Sequence, residues 1–381
     1  MESECKKIKV GILTRRAGFN HGSSLQAYAM AKFISDAGYD CKIIDYDEYS
    51  GHPRWKIRPF IENIQWAMCK YLPLSFRPQK YKYLSIRDKQ YKRFNRFDKQ
   101  YLPLTNIKCS NYDALQSCCK NFDILICGSD QIWSPLLYDP VFLFSFLTNE
   151  HTHTVAYAPS FGVSDIGLIG VEEKELIRKI NCLSCREERG AEMIEKVTGS
   201  PCPVVLDPTL MVDSKNWKEL AKSICNIESE PYILCYFLGE NVHQDYISSL
   251  AKQLGCKIIN IQMFNRMNSL RSDREVTDLG PIEFLNLVMN AEWICTDSFH
   301  ATIFSYLFKR KLSVFERFKN SDKENQNSRI HTLLKILNIE ETLSNDNNVN
   351  SNFSIDYYQV NASLLEWRNK SICYLRESLK I

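Results

Sequence analysis

KKIKVGILTRRAGFNHGSSLQAYAMAKFISDAGYDCKIIDY, residues 6–46, decides the fold class. Ile8, Val10 and Ile12 alternate along the chain, which predicts a strand over 6–13. After the loop TRRAGFNHG, Leu25, Ala29 and Phe33 recur every four residues with Tyr28 beside them. That is the spacing of one helix face, and Gly38 stops it. CKIIDY, 41–46, is short and apolar again. Strand, helix and strand in about forty residues make a β-α-β unit, whose crossover implies a parallel sheet.

The same alternation continues outward. FDILICG (122–128), HTVAYAPS (153–160), LSCRE (183–187) and PVVLDPT (203–209) read as further strands. A second series follows the polar stretch 226–231. It runs through strand YILCYFLG (232–239), helix HQDYISSLAKQLG (243–255) and strand CKIINIQ (256–262). A helix opened by Pro281, strand EWICTD (292–297), a helix over 299–308 and strand KLSVFER (311–317) complete it. The expected architecture is α/β with domains at 1–225 and 226–355, a division that suits 381 residues. A final helix, 356–381, is expected to pack back on the first domain, with Leu364, Leu365, Trp367 and Leu375 as its apolar contacts. The polar segment 318–327 is expected to be mobile, and 341–353 is a loop by composition.

No apolar run approaches the ~18 residues that span a bilayer, and MESECKKIKVGIL lacks the long apolar core of a signal peptide. A cytoplasmic protein is expected. The fifteen cysteines are irregularly spaced, and several sit in apolar strand patterns, as small buried hydrophobes do. Cys182 and Cys185 form a C-x-x-C with no second pair and no nearby His, so neither a metal site nor a redox motif is expected.

Net charge is only +3, but residues 54–100 hold 13 Lys or Arg and 3 Asp or Glu. That segment is locally +10, which leaves −7 for the rest. It belongs to an insertion of about 50–110 in the first domain and carries interleaved aromatics, among them Trp66, Phe94 and Phe97. A basic helical insertion packed on the first domain fits this composition. So does a surface for an anionic lipid headgroup at the cytoplasmic face of the membrane. No nucleic-acid motif accompanies the charge, and nucleic acid is not expected as a partner.

Four turns carry candidate chemistry. In ICTDSFHATIFSYLF a buried strand ends at Asp297, and a helix begins behind Ser298 and His300. Free N–H groups and the helix dipole favour a phosphate or carboxylate there, and an imidazole adds a cation or a proton relay. Ser298 is also a natural helix cap. In FNHGSSLQAY, Gly22 permits close approach of a ligand, while Asn20, Ser23 and Ser24 are capping types. In CGSDQIWSP, Asp130 and Gln131 suit sugar hydroxyls, and Trp133 suits either a sugar face or the core. In LSCREERG, Arg186 ends a buried strand and needs an anionic partner, either a carboxylate such as Asp207 or the substrate.

These stretches together resemble the polysaccharide pyruvyl transferase family. The resemblance runs through Asn20–Tyr28, Gly128–Trp133, Tyr157–Gly162, Leu183–Glu187, Asp207–Leu210, Thr296–His300 and Asn327–Ile330, and covers roughly residues 8–340. It departs at Ala301, where the family usually has Gly, and does not extend to 54–100. It implies two Rossmann-like domains facing a cleft, the GT-B-like glycosyltransferase architecture. It implies phosphoenolpyruvate as co-substrate with no cofactor, and a sugar diol as acceptor. The acceptor is expected to be galactose-containing and lipid-linked, for example on undecaprenyl pyrophosphate. The product would be a pyruvate ketal on a capsule or exopolysaccharide.

Arg186 and His300 are then expected to bind the donor, joined by Ser298, Asn20, Gly22 and Ser23. His300 supplies or relays a proton. Asp130 orients or deprotonates an acceptor hydroxyl, with Gln131 and Trp133 beside it. A nucleotide-sugar glycosyltransferase and a non-catalytic protein binding anionic lipid or RNA are the competing readings.

Overall fold

The computed structural model describes residues 7–16, 18–48, 79–148, 152–263, 268–319, 322, 325–344, 355 and 357–380. Its first half contains β1 (Lys9–Leu13), α1 (His21–Asp36), β2 (Asp40–Ile43), α2 (Gln79–Tyr101), α3 (Tyr112–Cys119), β3 (Ile124–Cys127) and β4 (His153–Ala156). Helices α4 (Val171–Arg178), α5 (Glu188–Thr198), α6 (Pro208–Met211) and α7 (Ser214–Ala221) follow. The second half contains β5 (Tyr232–Tyr236), α8 (Gln244–Leu254), β6 (Lys257–Ile261), β7 (Arg274–Val276), α9 (Pro281–Asn290), β8 (Trp293–Thr296), α10 (Phe299–Leu307), β9 (Lys311–Val314), α11 (Ser328–Leu337) and α12 (Tyr357–Ser378).

Two parallel sheets result, ordered β2-β1-β3-β4 and β7-β6-β5-β8-β9. Val10 lies opposite both Cys41 and Ile124, and Ile233 lies opposite Trp293. Every residue of β3, β5 and β8 is buried, as expected for parallel strands covered on both faces. Strand order reverses beside β1 in the first sheet and beside β5 in the second. In open α/β sheets ligands bind outside the carboxyl ends of strands at such points.

The strands expected at 183–187 and 203–209 are reduced to single bridges, Val155 with Cys182 and Cys185 with Val204. Pro203 and Pro208 lack the N–H groups that a longer ladder needs, and Pro208 instead opens α6. β4 likewise stops at Ala156, short of the expected 160. Cys185 is fully buried and Cys182 half-buried.

The C-terminal helix returns to the first half of the chain. Arg368 Nε donates to the Leu210 carbonyl (2.7 Å), Ser371 Oγ accepts from Leu206 N (3.0 Å), and Tyr374 Oη donates to the Ala156 carbonyl (2.9 Å). Leu364 and Leu375 are buried as expected, whereas Leu365 is 60% exposed because it lies on the opposite face of the helix.

Much of the basic segment, 54–78, lies outside the described residues, including the amphipathic stretch 60–74. The part of α2 beyond residue 85 packs on the body of the protein. Phe94 and Phe97 are buried, Arg16 Nη1 pairs with Asp98 (2.8 Å), and Arg93 pairs with Glu283 on α9. No described helix is long and apolar enough to cross a membrane. The described ends of 318–327 are tied together rather than free. Asn327 Nδ2 donates to the Phe318 carbonyl (2.7 Å), and its Oδ1 accepts from Phe318 N (3.2 Å).

Candidate active site

The loops leaving β1, β3 and the bridged segments at 185 and 204 meet the loop leaving β8. Asn20 Oδ1 accepts from the N–H groups of Gly22 (3.0 Å) and Ser23 (3.4 Å), which caps α1. Ser23 Oγ then donates to Asp130 Oδ2 at 2.5 Å. Gln26 ties the same helix to the β3 loop, since its Oε1 accepts from Ser129 N (3.1 Å). Asp130 sits at φ 71°, in the left-handed region that Asp tolerates better than most residues.

Asp207 is the hub. Its Oδ1 accepts from the Thr209 N–H (3.0 Å) and hydroxyl (2.7 Å). Its Oδ2 accepts from Arg186 Nη1 (2.8 Å) and Ser129 Oγ (3.1 Å), and lies 3.6 Å from His300 Nε2. Arg186 also has Asp130 at 3.6 Å and Glu187 at 3.9 Å. Its guanidinium lies 4.1 Å from the centre of the Phe299 ring. One cluster thus draws Ser23, Asp130, Arg186 and Asp207 from the first half and Phe299 and His300 from the second.

The cluster is almost closed to solvent, with Asp207 1%, Arg186 3%, Asp130 6% and His300 7% exposed. Among the described residues, Arg186 Nε and Nη2 and His300 Nε2 nevertheless have no hydrogen-bond partner, their carboxylates standing off at 3.6–3.9 Å. Buried donors are rarely left so, and a ligand or water is the usual completion.

Two of the three carboxyls around Arg186, those of Asp207 and Asp130, are held as anions. Burial pushes the Asp207 carboxyl up, but His300, Arg186 and the Thr209 hydroxyl outweigh burial and hold it far below the usual carboxylate range. Asp130 is likewise lowered, with burial overcome by His300, Arg186 and the Ser23 hydroxyl. For Arg186, burial opposes the charge while Asp207, Asp130 and Glu187 raise it above its ordinary value. Burial raises Glu187, with Arg186 and Arg329 opposing.

Several expected site residues have different work. Trp133 is a core residue, not a sugar platform. It is 1% exposed, packs at a tilt against Phe161 and donates from Nε1 to the Phe142 carbonyl (3.1 Å), which leaves no face for a sugar. Ser298 caps α10, its Oγ accepting from Ala301 N (3.4 Å). Asp297 accepts from the N–H groups of Leu238 (2.8 Å) and Gly239 (2.7 Å) and pairs with Arg317 (3.2 Å), so it holds the β5 loop rather than a ligand. Gln131 reaches across to the second half, where its Nε2 donates to Gln326 Oε1 (2.8 Å).

Gly22 lies directly against His300. A Cβ there would sit 2.1 Å from His300 Nδ1, so the glycine is what admits the imidazole. His21 is not a catalytic group. It is buried between Phe94 and Phe284, with ring centroids at 5.2 and 5.0 Å, and burial pushes its pKa down to about 3.

The sequence reading missed Arg329, buried in the first turn of α11, and gave Asp207 only a partner's role. The motif NSRI contained Arg329, but a burial signal was absent because an Arg in the first turns of a helix is commonly solvated. Among the described residues no group of three His, Cys, Asp or Glu is placed to hold a metal ion.

The fold and site define a two-sheet α/β protein with a charged, nearly closed site at the carboxyl ends of both sheets. The family model for polysaccharide pyruvyl transferase matches residues 20–317, and the chain belongs to that family. No curated protein matches it. Among solved structures, UDP-GlcNAc 2-epimerase from Neisseria meningitidis bound to UDP-GlcNAc is similar at 9% identity and TM-score 0.45, covering 94% of this chain and 100% of that one. The avilamycin A biosynthesis glycosyltransferase AviGT4 is similar at 10% identity and TM-score 0.43, covering 96% and 92%. E. coli ADP-heptose lps heptosyltransferase II is similar at 11% identity and TM-score 0.39, covering 95% and 99%.

Proposed function

We propose that this protein moves the pyruvyl group of phosphoenolpyruvate onto two hydroxyls of one sugar and releases phosphate. The observation that carries the reading is the set of buried nitrogens with no hydrogen-bond partner among the described residues, Arg186 Nε and Nη2 and His300 Nε2, in a member of a pyruvyl transferase family. Phosphoenolpyruvate carries a carboxylate and a phosphate, and both need N–H donors once desolvated.

In this reading Arg186 binds the donor through its free edge while Asp207 holds the other edge. His300 gives a proton to the methylene carbon, which leaves the neighbouring carbon electrophilic. A sugar hydroxyl attacks that carbon, and Asp130 accepts its proton. The second hydroxyl gives its proton to the now neutral His300 as it displaces phosphate and closes the ketal, and the departing phosphate carries off the proton held by Asp130. Asp207 keeps the imidazole and guanidinium in register and carries the compensating charge. Because the cluster is nearly closed, substrate entry requires the two halves to part.

We assign the acceptor to a lipid-linked oligosaccharide containing galactose, in capsule or exopolysaccharide synthesis at the cytoplasmic face of the membrane. The +10 charge of residues 54–100 supports this as a site for an anionic headgroup.

The test is release of phosphate from phosphoenolpyruvate in the presence of a galactose-containing acceptor. His300→Ala and Arg186→Ala are expected to lose that release while retaining a cooperative unfolding transition. Consumption of a sugar nucleotide in place of phosphoenolpyruvate assigns the protein instead to glycosyl transfer. A fully active His300→Ala removes the imidazole from the mechanism.

A further inference from the structure

Helix α2 presents two unlike faces. Ile86, Gln90, Phe94 and Phe97 are buried along one of them. That side is fastened to both halves of the protein. Phe94 stacks on His21, with centroids 5.2 Å apart, and Asp98 pairs with Arg16 (2.8 Å). Beside them Arg93 pairs with Glu283 on α9 and lies 3.5 Å from Asp278. Gly280, just before α9, admits this contact, since a Cβ there would sit 2.7 Å from Arg93 Cβ. The helix is thereby fixed in rotation, and its other face has a set direction.

That other face is a row of cations. Lys89, Lys92, Arg96 and Lys99 are all exposed. Their spacing of three, four and three residues puts them within about 80° of arc, about 140° round the helix from the buried row and about 15 Å from end to end. Among the described residues none of the four has a carboxylate partner. Asp98, the one acid between 89 and 99, turns the other way to Arg16. A merely solvated helix face interleaves both signs, so a row of one sign is an electrostatic footprint for an anionic partner.

The chemistry of the row fits an extended anionic surface better than one bound anion. Three of its four members are lysines, point charges on flexible stems without the planar fork that fixes a single phosphate. The row holds no apolar side chain, so contact is by charge and not by insertion. It also backs directly onto the reaction centre. His21, under Phe94, precedes Gly22, and Gly22 lies against His300.

We propose that Lys89, Lys92, Arg96 and Lys99 dock the outer face of α2 on an anionic phospholipid surface and so hold the reaction centre just behind it. Docking is independent of the chemistry at the site. That the acceptor is carried on the same surface rests on the pyruvyl transfer reading, which this deepens by naming the face that meets the membrane.

The experiment floats the full chain with vesicles of phosphatidylcholine alone or mixed with an equal share of phosphatidylglycerol. Wild type is expected to bind the mixed vesicles, not the neutral ones, and to be released as sodium chloride is raised. Neutralising the row by Lys89→Gln, Lys92→Gln, Arg96→Gln and Lys99→Gln is expected to weaken binding by roughly 100- to 1000-fold, about fivefold for each cation. A control set, Lys120→Gln, Lys179→Gln, Lys196→Gln and Lys252→Gln, removes four charges from other exposed positions and takes the net charge from +3 to −1, as the first set does (3 minus 4). It is expected to bind like wild type. Should the four-residue row set not fold, Lys92→Gln with Lys99→Gln decides, at roughly 25-fold.

Equal weakening by both sets, no weakening by the row set, or equal binding of wild type to neutral vesicles overturns the proposal. Preference of the row for a short single-stranded RNA over the mixed vesicles assigns it to nucleic acid and also overturns it. With a galactose-containing glycolipid in the mixed vesicles, the row set is expected to raise KM while leaving kcat, and turnover of the free sugar, unchanged. Docking that depends on the row without phosphoenolpyruvate turnover sustains the docking face and sinks the pyruvyl reading. Phosphoenolpyruvate turnover by a protein whose docking ignores the row does the reverse.

Discussion

Gly22→Ala is the sharpest probe of the site's geometry, because its effect passes through a single contact. The added methyl group would sit 2.1 Å from His300 Nδ1 and 2.4 Å from Cγ. Ordinary non-bonded separation is about 3.5 Å, so the imidazole or the start of α1 must retreat by more than about 1 Å. Overpacking of this kind costs about 1–3 kcal/mol, against a helix-propensity gain of at most about 1 kcal/mol for replacing Gly. In a His300→Ala background the obstructing ring is gone, and the same substitution becomes neutral or stabilising.

Urea unfolding of wild type, both single variants and the double variant therefore gives a coupling energy of about 1–3 kcal/mol. Activity falls by roughly 100-fold in Gly22→Ala, as expected when a reacting group moves by about 1 Å. A coupling below about 0.5 kcal/mol would refute the contact between α1 and His300, and with it the joining of the two halves at this point. The stability arm does not depend on the reaction being correctly assigned.

Other consequences follow from the same cluster and its surroundings. Asp207→Asn leaves Arg186 without its closest carboxylate and is expected to cost about 3 kcal/mol in chemical denaturation, because breaking a buried pair strands the other charge. Trp133→Phe is expected to cost about 1–3 kcal/mol while leaving the acceptor KM unchanged, since the indole faces the core. His21→Phe should keep the stack between Phe94 and Phe284 and remove a pH dependence. Folded His21 resists protonation until about pH 3, whereas the unfolded chain takes up the proton near pH 6.5, so stability is lost as pH falls through that window. Between pH 7 and pH 5 wild type should therefore lose about 2 kcal/mol more than His21→Phe, and equal losses would contradict the burial of a neutral imidazole.

The repeating β-α-β pattern was legible because its strands are buried on both faces and read as continuous apolar runs, as in Ile124–Cys127 and Tyr232–Tyr236. β7 was not legible, since two of its three residues, Arg274 and Glu275, are exposed and charged. The shortening of the chain at 183–187 and 203–209 to single bridges depends on prolines whose effect is local, but on partners that are distant in sequence.

At the site, His300 and Arg186 stood out because a polar residue at the end of a buried strand needs a partner. Trp133 was ambiguous because its surroundings, Phe142 and Phe161, come from other turns of the chain. Arg329 was hidden for the same reason. Its helix looks ordinary, and only the fold brings its guanidinium beside Gln326, Glu187 and the guanidinium groups of Arg186 and Arg317.

The most direct test of the account is the fate of phosphoenolpyruvate and a galactose-containing acceptor incubated with the protein in heavy water. The account predicts one phosphate released per acceptor converted, an acceptor heavier by pyruvic acid less water, and one deuterium in the new methyl group from the proton delivered to the methylene carbon. Unchanged phosphoenolpyruvate, or a glycosylated acceptor formed only when a sugar nucleotide is supplied, would contradict it.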